Sequence, residues 1–425
     1  MQAEEEAAEK QRTHVPLLKQ LGPGLIAGAA DDDPSGIATY SQAGAQYGYA
    51  LLWSVFFTTP LMIAIQLVSA RIGRVTGHGL AANIRERFPK PVLYFVVLLL
   101  LFANTINIAA DLGAMADALV LVLGGNSTVY IVFFALVSLT LQVFVPFPRY
   151  APYLKLLTLS LLAYVGTVLV VRMPLAALMG TLVPHLARDK DYVSMLVAVL
   201  GTTISPYLFF WQASQEVEEQ RATAGHEPLR EAPDQAKAHL RRIKLDTYVG
   251  MTYSNLIAFC IMLTTAATLH AAGATEIQSA AQAAEALRPL AGDLAFALFA
   301  LGIVGTGLLA VPVLAGSAAY AVAEAFRWPI GLGLPLAEAR GFYSILTVST
   351  VLGVLIDLAG VDSIKALLVA AVLNGIVSVP IMAILMMLVV DRATMGSFVA
   401  RPRLRRLGWL ATAVMGAAVL AMFVL

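Results

Sequence analysis

Three consecutive carboxylates lie in the middle of an apolar stretch near the start of the chain. Asp31, Asp32 and Asp33 are followed at once by Pro34. A carboxylate at the centre of a membrane costs about 2.5–3.5 kcal/mol, so such a group needs a cation, a proton or contact with water. Carboxylate and carbonyl oxygens suit hard divalent cations. The cluster therefore predicts a cation site in which Asp33, nearest the proline, meets the ion, with Asp31 or Asp32 partly hydrated or paired elsewhere.

A second apolar stretch contains a similar interruption, Thr-Thr-Ile-Ser-Pro-Tyr, at residues 202–207. Proline lacks a backbone donor, so Pro34 leaves the carbonyl of Ala30 without its helical partner, and Pro206 does the same to Thr202. Inside a bilayer, irregular backbone persists only where protein or a water-filled cavity satisfies it. Two helices broken in this way predict a cavity between the breaks.

The composition predicts an integral membrane protein. Of the 425 residues, 59% are hydrophobic and 13% charged, whereas an ordinary soluble domain is about 25% charged. A spanning helix needs about 20 mostly apolar residues. Eleven segments meet this requirement and leave no room for a soluble catalytic domain. The predicted spans are 17–46, 50–70, 91–118, 129–146, 154–172, 192–213, 246–269, 294–325, 341–358, 364–390 and 407–425.

Several classes of function are disfavoured by charge and residue usage. A net charge of +1 gives no basic surface for nucleic acid. The single cysteine, Cys260, excludes a disulfide framework and a thiolate metal cluster. The six histidines form no ligand-spaced pair. We expect no cofactor and no obligatory protein partner, only the lipid bilayer and a transported ion.

The distribution of Lys and Arg predicts an orientation. With a cytoplasmic N-terminus, 23 of the 28 basic residues fall on the cytoplasmic side and five outside, as the positive-inside rule favours. We expect a multi-pass protein of the cell (inner) membrane, with its C-terminus outside. The five outer residues are Arg172, Arg188, Lys190, Arg288 and Lys365.

The two interruptions are 172 residues apart, counted from Asp33 to Ser205. This is the spacing expected of two five-helix halves. Paired interruptions in corresponding halves indicate the midplane site of a transporter. The predicted division is a cytoplasmic tail (1–16), a transport core (17–390) with repeats at about 17–172 and 192–390 and a cytoplasmic connector at 214–243, and a linker with an eleventh span (391–425).

Other interpretations of these polar residues stay open at the sequence level. Asp33 could be a structural acid bonded to backbone N–H groups of its own break, and the hydroxyls of the second break could cap a kink. Asn104, Asn107 and Asp111 share one helical face, which either lines an ion route or bonds helix to helix. Asn374 could reach the cavity, although interhelical bonding is favoured.

The sequence resembles the natural resistance-associated macrophage protein (NRAMP) family of divalent-metal transporters. The resemblance covers spans one to ten. It implies an all-α membrane protein with the leucine-transporter-type inverted repeat, five plus five spans and one C-terminal span, with helices 1 and 6 broken. The residues that carry it are Asp33-Pro34-Ser35-Gly36, at the family's D-P-G-N; the segment Arg71 to Leu80; and Ile204-Ser205-Pro206-Tyr207, at its M-P-H.

In that family, the metal is held by the Asp and Asn of helix one, a carbonyl three residues before the Met, and the Met sulfur. Carried over, this keeps Asp33 and places the carbonyl on Thr202. Gly36 replaces Asn, Ser205 replaces Met, and Tyr207 replaces His. Loss of the thioether favours hard ions. The expected metal-site residues are Asp33, Gly36, Thr202, Thr203 and Ser205, with Asp32, Asp111, Tyr207 and Asn374 as accessory residues.

A roomy site made only of oxygens suits Mg²⁺, which keeps several of its waters. The pattern is similar to the divergent NRAMP-related magnesium transporters of prokaryotes, which implies uptake of Mg²⁺ and also Mn²⁺. The family's proton route uses the helix-six His and a D-x-x-E on helix three. Here Tyr207 replaces the His, and Asp111 is followed by Ala114. We therefore expect transport without obligatory proton symport.

Two alternatives remain. The first is a leucine-transporter-type carrier of amino acids or amines, with Asp33 pairing a substrate ammonium. The second is an intramembrane aspartyl enzyme, with Asp33 and Asp111 sharing a proton. Neither acid stands in the Y-D or G-x-G-D context of intramembrane aspartyl proteases, so we expect no enzyme.

Overall fold

The computed structural model of the chain is described for residues 22–171, 183–184, 187 and 189–425. Within these ranges every regular element is helical and there is no β-strand. The predicted tail, 1–16, lies outside them. The main helices are α1 (Pro23–Asp31), α2 (Pro34–Tyr47), α3 (Leu52–Thr76), α4 (Leu80–Arg87), α5 (Lys90–Leu123), α6 (Ser127–Phe144), α7 (Phe147–Thr158), α8 (Leu162–Val170), α9 (Lys190–Thr203), α10 (Pro206–Ala222), α11 (Ala236–Thr265), α12 (Ala280–Glu285), α13 (Arg288–Ala291), α14 (Ala295–Phe326), α15 (Arg340–Leu358), α16 (Ser363–Val390), α17 (Arg392–Met395) and α18 (Pro402–Val424).

Short irregular turns connect or extend several of these helices. Five are single 3₁₀ turns, and one is a π-helical turn that continues α11. They are Gly48–Leu51, Leu159–Leu161, Pro233–Gln235, Gly292–Leu294 and Gly396–Phe398 (3₁₀), and Ala266–His270 (π).

In the described part of the chain, ten helical stretches are long and apolar enough to cross a membrane. One of them, Pro34–Thr76, is 43 residues long and contains both the second half of the first predicted span and the whole second span. The other predicted spans each coincide with one stretch. The prediction of an all-α, multi-pass membrane protein is therefore confirmed.

Both predicted breaks are present. Helix α1 ends at Asp31 and α2 starts at Pro34, with Asp33 in extended geometry (φ −68°, ψ 172°). Helix α9 ends at Thr203 and α10 starts at Pro206. In each case proline is the first helical residue, where its missing N–H removes no intrahelical bond. Proline thus ends one half-helix and starts the next.

Glycines let the broken helices pack closely on their neighbours. A Cβ on Gly28 of α1 would collide with the carbonyl of Gly250 on α11. A Cβ on Gly201 of α9 would collide with the backbone of α16 beside Gly375. Small residues at such crossings bring helix backbones into contact in membranes. Helices α11 and α16 therefore hold the two broken helices in place.

One turn of α11 also contacts the ends of the broken helices that lie far from the breaks, which are the start of α1 and the end of α10. The carboxylate of Asp246 accepts hydrogen bonds from the backbone N–H groups of residues 22, 24 and 25, at 2.9, 2.6 and 3.0 Å. Arg242, four residues earlier, forms salt bridges with Glu216 (2.5 Å) and Glu219 (2.9 Å) near the end of α10. We call this pair the Arg242–Asp246 latch.

Candidate metal site

The two breaks meet at Gly36, in the first turn of α2. A Cβ placed on Gly36 would lie 3.1 Å from the backbone oxygen of Asp31, 3.3 Å from Oγ1 of Thr202 and 3.4 Å from Oδ1 of Asp33. Oxygens from both broken helices therefore converge on the place that a side chain of residue 36 would take, and this place is free because residue 36 has no side chain. We call it the Gly36 oxygen site.

Asp33 is buried, with 1% of its surface exposed. Its Oδ1 accepts a hydrogen bond from the N–H of Gly36 at 2.7 Å, and so caps the start of α2. Its Oδ2 accepts a hydrogen bond from the hydroxyl of Tyr207 at 3.1 Å. Asp33 therefore has the structural role considered from the sequence, as a cap of its own break, through Oδ1. Its Oδ2 faces the second break through Tyr207.

Tyr207 bridges the two breaks. Besides Asp33, its hydroxyl lies 3.1 Å from the carbonyl oxygen of Ala30, the acceptor that Pro34 leaves without a helical donor. One hydroxyl hydrogen serves both acceptors. The side chain that replaces the family's histidine thus satisfies the backbone of helix one across 177 residues of sequence.

The carbonyl of Thr202, expected to face the ion, is instead capped within its own break. The Ser205 hydroxyl points to the carbonyl oxygens of Thr202 (2.8 Å) and Gly201 (2.9 Å). From Thr202, it is the side-chain hydroxyl that faces the Gly36 oxygen site. The physical reason is local: a Ser hydroxyl readily bonds a carbonyl three or four residues earlier.

The Thr203 hydroxyl and the Ile204 carbonyl of the second break also have hydrogen-bond partners. Thr203 donates to the carbonyl of Val199 (2.7 Å), and its oxygen lies 3.0 Å from the hydroxyl of Tyr40 on α2. The carbonyl of Ile204 accepts a hydrogen bond from Ser378 on α16 at 2.7 Å. Thr203 therefore links α9 to α2, while the break is supported from α16.

Asp31 and Asp32 are fully buried. Of the two arrangements expected for them, they show pairing elsewhere: the hydroxyl of Ser254 on α11 lies 2.6 Å from Asp31 Oδ2 and 3.3 Å from Asp32 Oδ1. Close packing of α1 on α11 buries both carboxylates. The contribution of Asp31 to the Gly36 oxygen site is its backbone oxygen.

Asp111, on α5, is buried and close enough to Asp33 for the two charges to repel each other. Within the described residues, its carboxylate makes no hydrogen bond to another side chain. The two acids therefore do not form the hydrogen-bonded dyad that an aspartyl enzyme requires, and Asp33 is committed to the second break through Tyr207.

The asparagines bond helices to one another. Asn107 and Asn374 exchange two side-chain hydrogen bonds, at 3.0 and 3.3 Å, and so join α5 to α16. Asn104 donates to Leu314 and Ser317 on α14. Interhelical bonding thus accounts for these amides, including the accessory candidate Asn374.

Within the described ranges, no three His, Cys, Asp or Glu side chains converge as a metal cluster would. What the two breaks bring together is one carboxylate with neutral oxygens. Sequence reasoning missed four participants: the backbone oxygen of Asp31, and the side chains of Tyr40, Ser254 and Ser378. The three side chains belong to ordinary helix residues whose roles depend on distant neighbours, so the sequence carries no local signal for them.

Comparison with known proteins decides the family. Residues 24–425 match the profile described as natural resistance-associated macrophage protein-like. The chain is also 31% identical, over 368 residues, to the divalent metal cation transporter MntH of Yersinia enterocolitica, covering 84% of this chain and 82% of that protein. The chain belongs to the NRAMP family. This family consists of transporters, so the chain is a transporter and not an enzyme.

Solved structures agree on the fold. A manganese transporter of Eremococcus coleocola, in complex with an aromatic bis-isothiourea compound, is similar with a TM-score of 0.77 at 17% identity, covering 96% of this chain and 86% of that one. Mhp1, a nucleobase-cation-symport-1 family transporter in a closed conformation, gives 0.58 at 16% identity, covering 95% and 92%. The leucine-transporter-type fold expected from the resemblance is therefore confirmed.

Proposed function

We propose that this NRAMP-family protein takes up divalent metal cations by alternating access, favouring hard ions such as Mg²⁺ and also carrying Mn²⁺. The observation that carries the proposal is the Gly36 oxygen site, where Asp33, Thr202 and the backbone of Asp31 converge. The name of the Yersinia relative, a divalent metal cation transporter, agrees with it. The proposed metal residues are Asp33, Gly36, Thr202, Thr203 and Ser205, with Asp32, Asp111, Tyr207 and Asn374 around them.

The preference for hard ions rests on the donor atoms. All three groups around Gly36 are oxygens, and no thioether stands at Ser205. Mg²⁺ usually keeps several of its waters and needs few direct protein ligands, so a site with one carboxylate and neutral oxygens can hold it without requiring the helices to collapse onto it.

Uptake needs no second ion. A divalent cation gains about 4.6 kcal/mol from an inward-negative potential of 100 mV, at about 2.3 kcal/mol per charge. Tyr207 and Ala114 replace titratable groups of the family's proton route. Asp111 is the remaining acid beside Asp33. We propose that it stays in the protein as a fixed electrostatic partner of the site and carries no obligatory proton.

The test of this proposal is Mn²⁺ and Mg²⁺ flux into proteoliposomes under an imposed potential, with the Asp33→Ala variant beside the wild-type protein. We expect flux in the wild type and its loss in the variant. A pH-sensitive dye in the same vesicles should report no metal-driven acidification. Amine flux without metal flux would favour the amine carrier instead, whereas acidification would remove only the claim about coupling.

We also propose that the protein lies in the cell membrane, with its N-terminus in the cytoplasm and its C-terminus outside. Residues 17–390 would form the transport core and 391–425 the linker and eleventh span. The native Cys260 is buried, so cysteines placed at Asp293 and at Lys237 can be labelled with a membrane-impermeant maleimide on a quiet background. Reaction of residue 237, and not of residue 293, in intact cells would reverse the orientation.

A further inference from the structure

A second pair of acids stands away from the Gly36 oxygen site, on the α2 side of the first break. Asp117 lies near the end of α5 and Asp357 near the end of α15. Gly113, four residues before Asp117 on α5, contacts the carboxylate of Asp357, so helix packing brings the two acids to one region. Neither forms a salt bridge with any Lys or Arg in the described part of the chain.

A missing side chain makes room for this pair. A Cβ on Gly113 would lie 2.5 Å from Asp357 Oδ1 and 2.7 Å from the hydroxyl oxygen of Ser363. Because Gly113 has no side chain, a carboxylate from α15 and a hydroxyl from α16 can pack directly against it. Asp117 is one turn further along α5, on the same face. Three helices thus contribute oxygens to one small region.

Asp357 has one carboxylate oxygen with nothing to bind. The residue is 8% exposed, and its Oδ2 has no hydrogen-bond partner. Among the described residues, the hydrogen bond of Asp117 is the one that Ser127 donates to its Oδ1 at 3.0 Å. Burying a carboxylate without a partner is costly, and a neighbouring like charge adds to the cost. A cation between the two acids removes both penalties.

A narrow cavity lies between Asp117 and Pro34 of the first break. It has a volume of about 20 Å³, and Asp117 and Pro34 both line it, with Ile37, Ala114, Ile364 and Leu367 among its apolar walls. That volume holds about one water molecule. An ion beside Asp117 would therefore have to wait for the cavity to widen before it could reach Asp33.

We infer that Asp117 and Asp357, with the Ser363 hydroxyl, form a capture site for a hydrated divalent cation on the way to the Gly36 oxygen site. This inference rests on the proposed transport function and on its orientation, which places the pair on the outer face. Two acids in a recessed region concentrate cations and raise the rate at which they arrive. The capture site selects for positive charge, while the Gly36 oxygen site selects which ion is carried.

The binding experiment uses the purified full-length protein in nanodiscs, with free Mn²⁺ followed by electron paramagnetic resonance. Wild type is compared with Asp33→Asn alone and with Asp33→Asn combined with Asp117→Asn and Asp357→Asn. We expect Asp33→Asn to retain one Mn²⁺ and the triple variant to lose it. Competition by Mg²⁺ at the retained site is expected as well.

The transport experiment measures Mn²⁺ uptake by Asp117→Asn and Asp357→Asn. We expect KM to rise on the order of tenfold at low ionic strength, less at high ionic strength, with kcat unchanged. Asp293→Asn is the matched control, because it removes the same charge from an exposed position on the same proposed face and should leave KM unchanged. Equal unfolding temperatures of the isosteric variants would show that the fold is intact.

The outcomes separate this inference from the proposed function. If wild type binds and transports Mn²⁺ but Asp33→Asn binds none, or if its binding survives in the triple variant, the capture site is refuted and transport stands. A wild-type KM in both single Asn variants refutes it too. If wild type neither binds nor transports Mn²⁺, the proposed function itself fails.

Discussion

Replacing Gly36 with alanine tests the Gly36 oxygen site most directly. The new methyl group would occupy the point that Asp31, Thr202 and Asp33 surround at 3.1, 3.3 and 3.4 Å. Contacts of 3.1 and 3.3 Å to a Cβ are tighter than almost all real ones, so the Asp31 and Thr202 oxygens would have to retreat by a few tenths of an ångström, whereas Asp33 Oδ1 at 3.4 Å is at ordinary contact distance. The change adds one carbon atom, leaves every charge in place and does not alter the identity of any ligand.

Two effects of opposite sign act on stability. An alanine in a helix is favoured over glycine by about 0.5–1 kcal/mol, whereas overpacking a filled interior costs about 1–3 kcal/mol. Two of the contacting oxygens, on Asp31 and Asp33, belong to the first break, which is held by α2 and α11. They cannot easily move aside, so we expect the cost of overpacking to exceed the gain in helix propensity. The larger effect is on the ion, since the methyl group fills space among these oxygens without supplying a ligand of its own.

For Gly36→Ala we expect Mn²⁺ uptake to fall at least about tenfold, which corresponds to about 1.4 kcal/mol of lost binding. The assay is quenching of a metal-sensitive dye inside proteoliposomes under a potassium diffusion potential, with unfolding temperature measured in parallel. Gly416→Ala is the control, because a Cβ there meets only Val379 at an ordinary 3.6 Å. Wild-type uptake and stability in Gly36→Ala would refute our placement of the ion.

Three further predictions follow from the same contacts. Ser205→Met with Gly36→Asn should shift preference from Mg²⁺ towards Mn²⁺ or Cd²⁺, since it supplies a thioether and releases the carbonyl that Ser205 caps; unchanged competition by Cd²⁺ would contradict this. Tyr207→Phe should lower the free energy of unfolding by about 1–3 kcal/mol, because a buried acceptor loses its donor; an unchanged denaturant midpoint would refute it. Asp246→Asn should open the latch and speed maleimide labelling of a cysteine at Ala27, and an unchanged labelling rate would show that the latch is not a gate.

The sequence predicted the breaks because their cause is local. A proline removes a donor and restricts its neighbour wherever the chain goes, so Pro34 and Pro206 mark the ends of half-helices without knowledge of the fold. The apolar spans follow from composition in the same way. Their pairing into one cavity required a further premise, that interruptions in corresponding halves face each other, and the contacts at Gly36 agree with it.

The sequence could not predict which oxygens turn towards the site. The carbonyl of Thr202 is freed by Pro206 but capped by Ser205 three residues later, a competition between two local rules that only geometry decides. The burial of Asp31 and Asp32 depends on Ser254, more than 220 residues away in the chain. Such contacts are set by helix packing, and no pattern near the acids encodes them.

Helix α11 explains how the halves of this transporter are coupled. Arg242, Asp246, Gly250 and Ser254 are spaced every four residues and form one ridge of a helix. Along α1, this ridge caps the first N–H groups, then packs glycine on glycine, then bonds the terminal carboxylates. For α1 to swing away, all three contacts must break together, and the break at residues 31–33 is the place where the chain can bend. We therefore expect release of an ion from the proposed Gly36 oxygen site to the latch side to require separation of α1 from α11, with the latch and the ion site opening in one motion.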